Sequence, residues 1–316
     1  GYDWFRNVRV RETPGELRFG NRVAIFVLFQ PEGISGSTFF TLKHLEREDW
    51  SPLIISNAPL SDLDRVRLGR YSAHIVERQN VGYDFGAYRE GWQWLQRKAL
   101  KPHRLILMND STWFPVRASD DSLRRMEALG ADLAGHIYKV EDQRDSRHDH
   151  IESHLLMLSD RAIQHPAVQR FWTCYHMSNL KSLTIKRGEK GITQTALAAG
   201  LKVEALLDRD KISDILERLS DVELLAVVKH LVPHERNSQS FCDGIIAAAS
   251  VGLPWRDQLL AWTHAELSHS LQILLSVTFI DPAMVYGGMG FLKKSSELRF
   301  HLARLAVIRS IEAGRI

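Results

Sequence analysis

Chemistry is on offer where polar side chains interrupt apolar runs. In "MNDSTW" (108–113) a carboxylate, Asp110, stands between the amide of Asn109 and the hydroxyl of Ser111, directly after the apolar run "RLILM". Hard oxygen donors at the end of a buried strand suit Mg or Mn holding a diphosphate, and such a cation neutralises the charge that builds on a leaving phosphate. Taken alone, Asp110 is equally well a turn former. A second stretch, "NVGYDFGAYREGW" (80–92), holds three glycines, Asn80, Asp84 and large aromatics. Its plain reading is a helix capped by Asp84, with Gly82 and Gly86 permitting tight turns and Trp92 and Trp94 packed on a sheet. Its place at the strand end next to the Asp110 cluster argues for a ligand loop instead. His148, His150 and His154 form a looser group, for which solvation is the simpler reading and contact with an acceptor or metal the rival.

The elements that must position these residues alternate. "RVAIFVLF" (22–29), "PLIISN" (52–57), "HIVERQ" (74–79) and "RLILMND" (104–110) read as strands buried on both faces. Amphipathic helices separate them: 38–49, 61–69 with Ser61 as N-cap, and about 86–100 with Tyr88, Trp92, Leu95 and Ala99 at helical spacing. This alternation implies an α/β fold with a doubly wound, mostly parallel sheet, whose ligands bind beyond the carboxyl ends of the strands. Farther on, 132–138 and 153–159 flank a charged loop at 141–150, and a helix covers 167–176. The stretch 188–207 gives a helix, a stop at Gly200 and a short strand. From about Asp208 the pattern is helical only, so the expected division is an N-terminal arm (1–21), an α/β domain (22–207) and a helical extension (208–316).

The bulk numbers exclude other classes. The 316 residues are 44% hydrophobic and 25% charged with net charge +3, which fits a globular chain and is too mild for a nucleic-acid binder. Cys174 and Cys242 lie far apart without metal-site spacing, so a reducing, cytoplasmic setting fits best. No apolar run is long enough to cross a bilayer. The start carries no signal-peptide apolar core, and it lacks Met, as expected either of a trimmed chain or of a piece of a longer protein.

The ordered segments "AIFVLFQPEG", "IISNAPLSD", "VERQNVGYDFGAYREGW", "LILMNDSTWFP", "SHLLMLSDRAIQHPAVQRFW" and "GEKGITQTALAAGL" closely resemble the rhamnan synthesis F family over roughly residues 22–207. That family comprises bacterial polysaccharide glycosyltransferase domains, mostly assigned to rhamnose-containing glycans. The resemblance implies a GT-A-like fold and transfer of a deoxyhexose, most readily rhamnose, from a nucleotide-diphosphate sugar donor to a growing bacterial glycan acceptor, a lipid-linked one if the chain docks on a membrane. In that fold an Asn-x-Gly-x-x-x-Ala segment often precedes the strand ending in Asp-x-Asp. Asn80 and Gly82 stand at that spacing, with Ala87 one residue beyond the alanine place, and Asn109-Asp110-Ser111 takes the Asp-x-Asp place with one carboxylate where two are usual. Asn57 takes the place of an acidic residue near the nucleotide base. Glu189 stands where a carboxylate often begins the helix after the acceptor strand and would be the general base, in an inverting single displacement. The plain alternative for Glu189 is a first-turn glutamate favoured by the helix dipole. Lys186, Arg187 and Lys190 would meet the diphosphate or form a solvated face.

The expected site is thus Asn57, Asn80, Gly82, Asp84, Gly86, Asn109, Asp110 and Ser111 around the nucleotide sugar, Asp110 on the divalent cation, and Glu189 as base. Rival readings keep the fold with another donor sugar, or make the chain a non-catalytic glycan- or nucleotide-binding domain of a larger assembly enzyme. The last helix, about Ser295 to Ala313, places Leu298, Leu302, Leu305, Ile308 and Ile311 on one side. Packing on the main domain is the preferred reading, and docking on the anionic inner face of the cytoplasmic membrane is the rival.

Overall fold

A computed structural model of the chain describes residues 11–140, 146–233, 236–269 and 274–316. The chain separates into two compact units, Gly1–Ala205 and Leu206–Ile316.

The first unit is built on a mixed sheet. Its core is β2 (Arg22–Leu28), β3 (Ser51–Ser56), β4 (His74–Glu77) and β5 (Arg104–Asn109). β2 pairs in parallel with both β3 and β5, and β3 pairs in parallel with β4. The crossovers are α1 (Gly36–Arg47), α2 (Asp62–Gly69) and α3 (Tyr83–Arg97). Val23 to Leu28 and Leu105 to Met108 are all buried, as continuous apolar runs covered on both faces should be. Ser61 caps α2 by accepting from the Asp64 amide at 3.0 Å.

Beyond β5 the sheet reverses. A two-residue strand β6 (Thr112–Trp113) does not join it. β7 (Leu133–Lys139), β8 (His150–Ile151), β9 (Leu155–Ser159) and β10 (Val203–Leu207) follow, and the strand order is β1-β4-β3-β2-β5-β9-β7-β10 with β8 on β7. β9 runs antiparallel to β5, with Met108 opposite Leu155. The start of β9 therefore lies at the carboxyl end of β5, so Ser153 and His154 arrive beside Asn109.

Several sequence boundaries need correction. The arm expected over 1–21 supplies an edge strand, β1 (Arg11–Pro14), antiparallel to β4; its residues are polar because it is a mostly exposed edge. Of the charged loop expected at 141–150, residues 141–145 lie outside the described residues, and His150 is already in β8. α3 begins at Tyr83, three residues before the expected start, and ends at Arg97, with Ala99 at φ 52° beyond it. The helix expected from 188 begins at Lys181. α4 (Ser122–Ala128), α5 (Asp160–Gln164) and α6 (Pro166–Cys174) precede it, and α7 (Lys181–Thr184) runs through a π-helical turn, Ile185–Lys190, into α8 (Gly191–Ala198).

The second unit is helical: α9 (Arg209–Arg218), α10 (Asp221–His230), α11 (Arg236–Ser250), α12 (Arg256–His269), α13 (Ile280–Val285) and α14 (Leu298–Glu312). Ser220 and Glu223 form a reciprocal capping box on α10. Asp281, fully buried, accepts from Ser310 Oγ at 2.6 Å and from Arg315 Nη2 at 2.6 Å, which ties α14 to α13. α14 turns the opposite way from the preferred expectation. Its buried face is Phe300, Ala303, Ala306, Val307 and Ser310, whereas Leu298, Leu302, Leu305, Ile308 and Ile311 are exposed by 70, 40, 38, 49 and 48%.

Candidate functional site

From β2 the chain winds outward through β3 and β4, then returns to place β5 on the other side of β2. The crevice above the carboxyl ends of β2 and β5 is therefore the topological switch point, the usual ligand position in such sheets. Asp110 stands there. Its Oδ2 accepts from the Phe29 backbone N–H at 3.0 Å and from Gln30 Nε2 at 2.8 Å, joining the two strand ends. Gln30 is itself held, since its Nε2 also donates to Thr38 Oγ1 at 2.8 Å and its Oε1 accepts from the Ser35 amide at 2.8 Å. Asn109 is buried and points the other way. Its Oδ1 accepts from the Ser111 amide at 3.0 Å, and its Nδ2 donates to Asp84 Oδ2 at 3.0 Å.

That last bond brings the two polar clusters of the sequence together. Gly82, not Asp84, is the N-cap of α3, and Asp84 lies in the first turn. Gly82 has φ 78°, and Tyr83, with φ 50°, is also left-handed, a conformation costing a non-glycine residue roughly 1–2 kcal/mol. Asn179 holds this corner: its Oδ1 accepts from the Gly82 amide at 2.9 Å, and its backbone oxygen accepts from Tyr83 Oη at 2.9 Å. The glycines are required by the protein's own packing. A Cβ on Gly82 would stand 2.9 Å from Met177 Cβ, and one on Gly86 would stand 2.1 Å from the Val81 oxygen.

Asn57 is buried, and its Oδ1 accepts from Arg78 Nη1 at 2.5 Å, while Arg78 Nη2 donates to the Val81 oxygen at 2.7 Å. Asn57 thus anchors the strut that supports the loop. Asn80 does not join the Asp84–Asn109 pair; its Oδ1 is buried without a hydrogen-bond partner.

The pocket is acidic. Burial, with Asp110 and Glu189 nearby, pushes the Asp84 carboxyl up to about 6, while Lys181 opposes the shift. Tyr88 is fully buried, donates to the Ser153 oxygen at 3.1 Å, and is raised well above the usual phenol range by burial and by Asp84. Glu189 reaches the same region from the π-helical turn, not from a first helical turn as expected. Its Oε1 accepts from the Ser153 amide at 2.7 Å, and its Oε2 lies 3.8 Å from His150 Nε2. A π turn carries an extra residue within a helix and is common at functional sites. Here it turns Glu189 and Thr193 toward β8, where Thr193 Oγ1 accepts from the Ile151 amide at 3.2 Å.

The histidines separate. His148 is exposed. His150 and His154 are buried rather than solvated, and His154 stacks on His136 with ring centroids 5.3 Å apart. Lys186 and Arg187 are exposed and Lys190 is half-buried. Spacing could not have revealed Arg78, Ser153, Asn179 or Lys181, because each acts across a fold-dependent contact. Gln30 was visible only as a polar residue at a strand end.

Among the described residues no three His, Cys, Asp or Glu side chains form a metal cluster. Asp110 commits one carboxylate oxygen to the β2 end, and Asp84 is the second acidic group in range. This set fits a cation that arrives with a diphosphate, bound through one or two carboxylates and phosphate oxygens. It does not fit a resident, protein-caged metal.

Residues 53–246 match the family described as Rhamnan synthesis protein F, a span that begins after β2 and continues past the first unit. A relative from Sinorhizobium fredii (strain NBRC 101917 / NGR234), named "Uncharacterized protein y4gN", is 30% identical over 212 residues. The match covers 67% of this chain and 54% of the relative, so the chain spans about half the length of the curated relative it matches.

Proposed function

Because the chain belongs to the Rhamnan synthesis protein F family, whose role is in polysaccharide synthesis, we propose that it is a glycosyltransferase moving a deoxyhexose, rhamnose in the first instance, from a nucleotide diphosphate to a glycan acceptor. The observation that carries this reading is the bond from Asn109 to Asp84 beside the Asp110 tether at the switch point. It makes one polar crevice of two distant sequence clusters. In the proposed reaction the acceptor oxygen forms a bond to the anomeric carbon as the bond from that carbon to the diphosphate oxygen breaks. The acceptor proton passes to Glu189, whose carboxylate is oriented by the Ser153 amide. A divalent cation, magnesium or manganese, would neutralise the departing diphosphate, with Asp110 and Asp84 as its protein ligands. Lys181, the cation near Asp84, would meet the same phosphates. Inversion follows if the displacement is single.

Asn109 in place of a second carboxylate favours a rival, a non-catalytic sugar-nucleotide-binding domain. A cytoplasmic setting is supported by Cys174 and Cys242, both free. Among the described residues no helix is long and apolar enough to cross a membrane; the exposed stripe of α14 supports peripheral attachment to the inner face, where a lipid-linked acceptor would lie.

A thermal-shift screen of sugar nucleotides with and without manganese tests the reading. A native-state ligand at a hundred times its Kd adds about 2.7 kcal/mol of stability. The expected result is a manganese-enhanced shift with one class of donor, absent in Asp110→Ala. No shift with any donor, or an equal shift in Asp110→Ala, would contradict it.

A further inference from the structure

The first unit carries a cleft apart from the crevice above β2 and β5. A groove of about 950 Å³ runs between α6 and the helix that carries Glu189, lined by Pro166, Phe171, Tyr175, Gly191 and Ala198 with Arg170 and Arg187. Arg187, Gly191, Thr195 and Ala198 recur every three or four residues and so share one face of that helix. Glu189 and Thr193 turn instead toward β8. The groove and the acidic crevice thus lie on opposite faces of one helix.

We propose that this groove binds an amphipathic anion, a long apolar chain carrying a phosphate or diphosphate head. Three observations carry the assignment. The wall is largely apolar: Ala167, Ala198, Ala199, Pro166 and the ring of Phe171. Among the described residues the formally charged side chains that line it are Arg170 and Arg187, both exposed, with no carboxylate beside them. Its volume of about 950 Å³ is at the upper end of the roughly 300–1,000 Å³ of small-molecule sites, far more than a bare phosphate fills. Arginine is the side chain best matched to phosphate oxygens. His165 adds no acceptor for an acid, since its Nδ1 already accepts from the Ala167 amide at 3.2 Å to cap α6. For its purpose the inference rests on the transferase reading: an acceptor glycan on a lipid phosphate would be held by its lipid end. Binding itself does not depend on that reading.

The test is calorimetric titration of the whole chain, without donor, using dodecyl phosphate below its micelle concentration. Octyl phosphate, dodecanol and inorganic phosphate serve as comparisons. Dodecyl phosphate should bind saturably and more tightly than octyl phosphate, since each buried methylene is worth up to about fourfold in affinity. Dodecanol and inorganic phosphate should each bind at least about tenfold more weakly. The double variant Arg170→Glu, Arg187→Glu should lose roughly ten- to a hundredfold, the range for charged hydrogen bonds. Ala198→Trp, which fills the groove and keeps both charges, should lose binding too; Glu189→Gln should keep it. Absence of saturable binding to the unmodified chain would overturn the proposal, whether or not the variants fold. So would parental affinity in the folded double variant, or inorganic phosphate binding as tightly as dodecyl phosphate. Because no donor is present, a chain that binds the probe yet transfers no sugar would contradict the transferase reading alone.

Discussion

At the scale of residues, Asp84 is the most informative group. Its folded-state carboxyl lies at about 6 against 3.8 for the unperturbed acid, because burial, Asp110 and Glu189 all disfavour its charge. The sign follows from linkage. Between those values the unfolded chain ionises first, so the contribution of Asp84 to stability is most favourable below about pH 4 and is lost as pH rises to about 6, by at most about 3 kcal/mol. Asp84→Asn should therefore melt higher than the parent at pH 7.5, with the advantage gone near pH 4, and should bind donor poorly. An unchanged difference in melting temperature across that range would show that the Asp84 charge is not opposed in the folded state. Asp110 and Asn109 were legible as a strand-end cluster because residue type and position coincide there. Asn57 was legible as a polar strand-end residue but not as the partner of Arg78, since that bond joins residues 21 apart across two strands.

At the scale of elements, the helical run from Lys181 to Ala198 decides where Glu189 points. A helical period locates the apolar face of α8, but an inserted residue leaves no mark in composition, which is why the π turn and the earlier start at Lys181 were not legible. Deleting Lys186, an exposed residue of that turn, should restore α-helical winding and rotate Glu189 by about 100° relative to α7. The expected outcome is a folded chain by circular dichroism whose turnover falls at least about tenfold. Parental turnover in the deletion would mean that the π turn positions nothing used in the reaction. The parallel strands were legible because they are buried on both faces and read as unbroken apolar runs. β1 was not, because "RETP" is a mostly exposed edge whose pairing depends on β4.

At the scale of the whole molecule, alternation ending near Asp208 marked where the sheet stops and helices take over. The apolar stripe of α14 was equally visible, but not its direction. Periodicity identifies an apolar face, whereas the face actually packed uses the small residues Ala303, Ala306 and Ser310 with Phe300 and Val307. An outward stripe bordered by Arg304 and crossed by Arg309 suits an anionic bilayer. The chain should co-sediment with vesicles containing phosphatidylglycerol more than with neutral ones, less so at high salt. The double variant Leu302→Glu, Leu305→Glu should remain in the supernatant with its melting temperature unchanged. Equal sedimentation of parent and variant would remove α14 as the attachment surface.

The central claim is that the crevice at the β2–β5 switch point binds a nucleotide-diphosphate sugar and that Glu189 drives its transfer. The most direct measurement pairs donor affinity with turnover, read as release of nucleotide diphosphate, for the parent and for Glu189→Gln. The amide keeps the size of the side chain and an oxygen to accept from the Ser153 amide, a bond of 2.7 Å in the parent. Donor affinity should stay within about twofold, and turnover should fall by roughly a hundredfold to ten-thousandfold, the usual contribution of a general base. Parental turnover in a folded Glu189→Gln chain, or a parent that neither binds nor cleaves any sugar nucleotide, would contradict the account.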